Sequence, residues 1–209
     1  MRKSEYKYKV YNGKVIKDII KDSRIIILIL LFAVGIIIGA TAIKNNNEIV
    51  DKIKFVISSY AMSRAGRGSA ENFLNSLLVN LLFTGLSVFL SFSLIGYPFI
   101  MLLPFLRGVA IGTVTGYLYA EYGFMGLGYS LLMIYPSAIL TMTALTVIFN
   151  ESCIYSHNAY LKAIAGKGQY EKNETRIFLA KQLIFTGITA IGSAIDALSV
   201  ALFSGFFHL

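Results

Sequence analysis

The chain carries a single cysteine, Cys153, so no intramolecular disulfide framework is open to it. Charge is scarce as well: 14% of the residues are Asp, Glu, Lys or Arg against 56% apolar, a balance too greasy for an ordinary soluble domain. The short patterns of common catalysts are also missing, with no Walker-type glycine loop, nucleophile elbow or HExxH. Cys153 and His157 stand four apart and could share a helix face, but two ligands without a third do not make a zinc site. A hydrolase would need paired carboxylates or a metal on a structured surface, whereas Glu48, Asp51, Glu71 and Glu121 are spread over short loops. These absences argue against an enzyme, and nothing in the pattern asks for a metal or a cofactor.

What the chain has instead is long apolar runs. Residues 25–43, 73–95 and 122–149 contain no charge, 97–120 carries only Arg107, and 183–207 carries only Asp196. Each is long enough to cross a bilayer, which takes about 20 apolar residues. The expected fold is an all-α membrane protein: one polytopic bundle of about five transmembrane helices over residues 25–209. Ahead of it lies a basic cytoplasmic segment, residues 1–24. Residues 48–60 place Ile49, Ile53, Val56, Ile57 and Tyr60 at helical spacing, which predicts a short amphipathic helix on the outer membrane surface.

The formal charge of +8 reads as a topology signal and not as a nucleic-acid footprint. Eight basic residues precede Ile25, and five more lie between the fourth and fifth runs at Lys162, Lys167, Lys172, Arg176 and Lys181. With both clusters in the cytoplasm, the N-terminus is inside and the C-terminus outside. The loop over residues 44–72 then faces outward, although it carries five basic residues of its own. The first run has a basic leader and an Ala40-Thr41-Ala42 tripeptide, as a signal peptide would. Its 19-residue core exceeds the roughly 7 to 15 of an h-region, so retention as an anchor is expected.

Polar and small residues mark the helix faces. Ser76, Asn80, Thr84, Ser87 and Ser91 recur every three or four residues on the second run, a face suited to bonding across a bundle or to lining a pathway. Gly35 and Gly39 on the first run, and Gly108, Gly112 and Gly116 on the third, form small-residue grooves for close helix packing. A stripe of Gly187, Ala190, Ala194, Ala197 and Ala201 promises the same on the fifth. Gly96 and Pro98 predict a tight hairpin between the second and third runs. Pro104 is expected to kink or open the third run, the alternative being that Tyr97 to Arg107 forms a re-entrant segment; Pro136 is expected to bend the fourth. Ser69 is the expected N-cap of the second.

Arg107 and Asp196 are the two intramembrane charges, and each needs a polar partner or a wet cavity. Arg107 lies ten residues past Tyr97 and Asp196 thirteen past Leu183. At about 1.5 Å per residue their depths are roughly 15 and 20 Å, within reach of an arginine side chain. A direct ion pair between them is one reading. The other is that Arg107 snorkels to the surface while Asp196 is protonated or accepts from a serine.

The stretch Asn80-Leu81-Leu82-Phe83-Thr84-Gly85-Leu86, then Ile95-Gly96-Tyr97-Pro98, then Phe105-Leu106-Arg107-Gly108-Val109-Ala110-Ile111-Gly112 resembles the stage II sporulation protein M family. That family shows an asparagine in this helix, a glycine-x-proline hairpin, and a basic residue followed by two glycines four apart. The likeness extends to Gly35, Gly39, Pro136 and Ser193-Ala194-Ile195-Asp196-Ala197, and departs at Ser137-Ala138, where the family carries amide or acidic residues. The resemblance implies a multi-pass protein of the cell membrane at the sporulation septum. It would act as a non-enzymatic scaffold for an amidase and a lytic transglycosylase during engulfment. The implied partners are membrane lipid and these cell-wall hydrolases, with no nucleic acid and with homo-oligomers permitted. The alternative from another class is a small transporter or permease subunit with a polar pathway around Arg107 and Asp196.

Overall fold

The computed structural model describes residues 23–45, 68–165 and 172–203; most of the basic N-terminal segment and the amphipathic helix expected over 48–60 lie outside the described residues. Five α-helices make up the described chain: α1 (Ser23–Asn45), α2 (Ser69–Ser91), α3 (Gly96–Tyr129), α4 (Tyr135–Ala165) and α5 (Lys172–Phe203). A π-helical turn, Ser130–Ile134, joins α3 to α4, and no strand occurs among the described residues.

Four helical stretches are long and apolar enough to cross a membrane: Ser23–Ile43, Ser69–Ser91, Gly96–Ala163 and Asn173–Leu202. The third is 68 residues long. Straight, it would measure roughly 100 Å, over three times the hydrocarbon thickness of a bilayer. It is not straight. Gly123, at φ 56° and ψ −132°, takes a backbone conformation essentially confined to glycine, and the chain doubles back there. Leu118 consequently packs with Tyr129, Met133 and Ile134, partners that a continuous helix would hold far away. The long stretch therefore makes two passes, and the bundle makes five.

Side-chain contacts fix the directions. Leu28 of α1, Ile100 and Leu103 of α3, and Leu145, Phe149 and Cys153 of α4 share one buried cluster. Ile43, from the other end of α1, joins Tyr117 and Tyr129 beside the Gly123 turn. Thus α1, α3 and α5 run one way, and α2 and α4 the other. The parallel pair α1 and α3 is the closest contact in the bundle. A Cβ added to Gly108, Gly112 or Gly116 would run into the α1 backbone at Phe32, Ile36 or Ala40, each step being one helical turn on both helices. Gly35 and Gly39 meet the α3 backbone at Phe105 and Val109 in the same way. Lipid tails supply no hydrophobic drive for association, so backbone proximity and its dispersion energy do the holding.

Several sequence expectations need correction. Gly68, not Ser69, precedes the first turn of α2, because the Glu71 and Asn72 amides donate to its carbonyl at 3.0 and 3.1 Å. Pro104 lies buried in a helix whose backbone stays helical up to Gly123, so α3 is neither opened nor re-entrant there. Pro136 acts upstream of itself. It lacks an amide proton and crowds the carbonyl four residues back; the π-helical turn, in which the Tyr135 amide donates to Ser130, accommodates this. On α5 the small-residue stripe is packed only in part: Ala197 is buried and Ala190 and Ala194 half-buried, while Gly187 meets open space and Ala201 is exposed. The glycine that touches a neighbour is Gly192, set against Thr141 of α4.

Helices α4 and α5 also outrun their apolar segments. The uncharged runs stop at Phe149 and start at Leu183, yet the helices continue to Ala165 and begin at Lys172. Pairing between the two extensions explains it. Lys181 Nζ donates to Glu151 at 2.8 Å, Lys162 pairs with Glu174, and the Tyr155 and Thr175 hydroxyls bond at 2.9 Å. Tyr155 stacks on Phe178 with ring centroids 4.5 Å apart, and Phe92 closes edge-on at 5.4 Å from Tyr155.

Candidate functional site

The middle of the bundle holds the two expected charges and a set of polar side chains that join α2, α3, α4 and α5. Asn80, fully buried on α2, is their hub. Its Oδ1 accepts from Arg107 Nη2 of α3 at 3.1 Å, and its Nδ2 donates to Ser193 Oγ of α5 at 2.9 Å. Ser193 in turn donates to the Thr189 carbonyl. The Arg107 guanidinium lies 5.3 Å from the centroid of the Phe83 ring, so its charge meets a π face as well as an amide oxygen. Only a planar guanidinium can offer a fixed N–H to Asn80 while presenting its flat face to a ring.

One turn beyond Ser193, the buried Asp196 accepts from Ser137 Oγ of α4 at 2.9 Å. Asn80 and Ser193 thus link α3 to α5, three residues short of the aspartate. Ser137 stands where the resemblance called for larger polar groups, and it supplies the hydroxyl that Asp196 needs.

The seam continues toward the extended ends of α4 and α5. Gln182 Nε2 donates to the Ile148 carbonyl at 3.2 Å and to Ser152 Oγ at 3.1 Å, and Ser152 faces Ser87 of α2 at 3.5 Å. Thr84 and Ser87 return their protons to their own helix, at Asn80 and Thr84 carbonyls. The turn between α2 and α3 is tied down by Ser156, which donates to the Ser93 carbonyl at 3.0 Å. Gly96 is buried in that turn against the Leu90 carbonyl, and Pro98 occupies the first turn of α3, where its missing amide proton costs no helix bond.

Asn80, Arg107 and the α5 polar face thus come together, while Gly108, Gly112 and Gly116 look away from them toward α1. Reading the α5 stripe by residue size missed Gln182, Thr189 and Ser193. Their signal was present: Gln182, Thr186, Thr189, Ser193, Asp196 and Ser199 recur every three or four residues, as the polar face of α2 does. Cys153 and His157 do not form a site. Cys153 is fully buried and His157 lies beside the Tyr97 ring; no group of three His, Cys, Asp or Glu fit for a metal occurs among the described residues.

The family profile described as Stage II sporulation protein M matches residues 28–203, from α1 to the end of α5. The chain belongs to the stage II sporulation protein M family. Comparison with curated proteins and with solved structures gave no match. As a member of this family it is a sporulation-related membrane protein. The matched span contains the α1–α3 glycine contact and every residue of the Asn80 hub.

Proposed function

We propose that this member of the stage II sporulation protein M family is a non-enzymatic membrane scaffold that holds peptidoglycan hydrolases, an amidase and a lytic transglycosylase, at the septum during engulfment. The observation that carries this reading is the Asn80 hub. Polar groups deep in the bundle, which a transporter would turn toward a substrate, bond directly to one another at 2.9 to 3.1 Å and tie four helices together. Such a body is suited to presenting fixed surfaces. The test is recovery of the tagged protein from sporulating cells. The hydrolases are expected in the eluate and the protein at the septum; a correctly inserted protein that brings down neither would end the scaffold reading. Substrate flux in proteoliposomes, lost in Arg107→Ala, would instead establish a transporter.

An external partner also requires the Gly123 end of the bundle to face outward. Cys153 cannot report this, because a fully buried thiol resists reagents from either side. Two exposed positions can. Phe124→Cys, at a residue 86% exposed beside the Gly123 turn, is expected to react with an impermeant thiol reagent in intact cells. Tyr160→Cys, at a residue 45% exposed on the α4 extension, is expected to react only after permeabilisation. The reverse pattern would invert the topology.

A further inference from the structure

Between the α4 and α5 extensions lies a cavity of about 240 Å³, lined by Glu151, Tyr155, Asn158, Lys162, Glu174 and Lys181 over an apolar floor that includes Ile154 and Phe178. We infer that this cavity binds the headgroup of a membrane phospholipid that carries both a phosphate and a primary ammonium. The phosphate faces Lys181 and the ammonium faces Glu151 and Asn158.

Depth is the first argument. Glu151 stands two residues beyond the uncharged run of α4, and Lys181 two residues before that of α5. At about 1.5 Å per residue, their pair sits roughly 3 Å outside the apolar segments, in the headgroup layer. Charge is the second. Two lysines and two glutamates line the cavity, so its walls are neutral in sum but strongly dipolar. An anionic headgroup without an ammonium would bring its phosphate toward the Glu151 carboxylate. A zwitterion answers both signs, and its ammonium hydrogens give charge-assisted bonds. The third argument is a track for the acyl chain. Ile177 lines the cavity, and Ile177, Ile184, Ile191 and Leu198 recur every seven residues on α5 at 58%, 65%, 59% and 58% exposure. That stripe leads from the cavity into the hydrocarbon on the face that presents Lys181. The Lys162–Glu174 pair closes the outer end.

The test uses the full-length protein in vesicles of equimolar phosphatidylethanolamine and phosphatidylcholine. After gentle solubilisation, native mass spectrometry reads the lipid retained. Phosphatidylethanolamine is expected to be enriched about tenfold, since the trimethylated ammonium of phosphatidylcholine cannot donate to Glu151. The charge-swapped variant E151K/K181E keeps the ion pair and the helical hairpin but reverses the dipole, and its enrichment is expected to fall to near parity. Neutral E151Q/K181M, checked for folding by thermal unfolding, is expected to behave likewise. Parity in the unmodified protein, or enrichment untouched by the charge swap, would overturn the assignment. Displacement of the retained lipid by free phosphoethanolamine at millimolar concentration would do so too, because it would make the ligand a soluble one.

Discussion

Gly112→Leu is expected to destabilise the bundle by about 3 kcal/mol, the upper part of the range for overpacking a tight contact. Even the first carbon of the new side chain would overlap the α1 backbone at Ile36, with the Ile36 carbonyl carbon and Cα both at 2.8 Å. A flexible side chain could swing aside; a helix backbone cannot. The two helices must separate, and the loss reaches Gly108 and Gly116 because all three glycines serve one parallel contact. Gly187→Leu provides the control. Nothing lies within 4 Å of a Cβ at Gly187, and leucine is a better helix former than glycine by up to about 1 kcal/mol. Unfolding in mixed micelles titrated with a denaturing detergent should therefore show a large loss for the first variant and no loss for the second. Equal behaviour of the two would mean that the α1–α3 contact does not hold the fold.

The second large effect belongs to Asn80→Leu, expected to cost about 2 to 3 kcal/mol. The substitution keeps the branched shape, with two bulkier methyl groups, but takes the acceptor from Arg107 and the donor from Ser193. A hydrogen bond to a charged group is worth about 1.5 to 3 kcal/mol, and a neutral interhelical bond in a membrane averages about 0.6. Adding Arg107→Leu removes the charge that Asn80 served. The double variant should thus lose less than the sum of the singles, by roughly 1 to 2 kcal/mol. Additivity within about 0.5 kcal/mol would sink the hub.

Much of this was legible before folding. The helical membrane class was legible, because lipid forces every backbone amide into a helix and leaves hydropathy as the dominant signal. The glycine spacing marked α1 and α3 for close packing but not their partners: Gly108, Gly112 and Gly116 were expected to organise the bundle around α5, and they meet the α1 backbone instead. Reading failed where two features competed on one helix. On α5, alanines and polar residues interleave, and size marked a stripe that is buried only at Ala197, beside the hydrogen-bonding residues that face the bundle. The ends of α4 and α5 failed for a related reason: their polar sequence reads as loop, while ion pairs and ring stacking across the hairpin keep them helical.

By itself, then, the sequence determined that the chain is a helical membrane bundle of this family, and that Arg107 and Asp196 must be met by polar groups. Only the tertiary structure decided which groups meet them. A charge in lipid demands a partner, but the demand fixes no identity. Asn80, itself bonded to Ser193, answers Arg107, and Ser137 answers Asp196, because glycine contacts and the Gly123 reversal set the helices at the rotation and depth that bring those atoms within 3.1 Å.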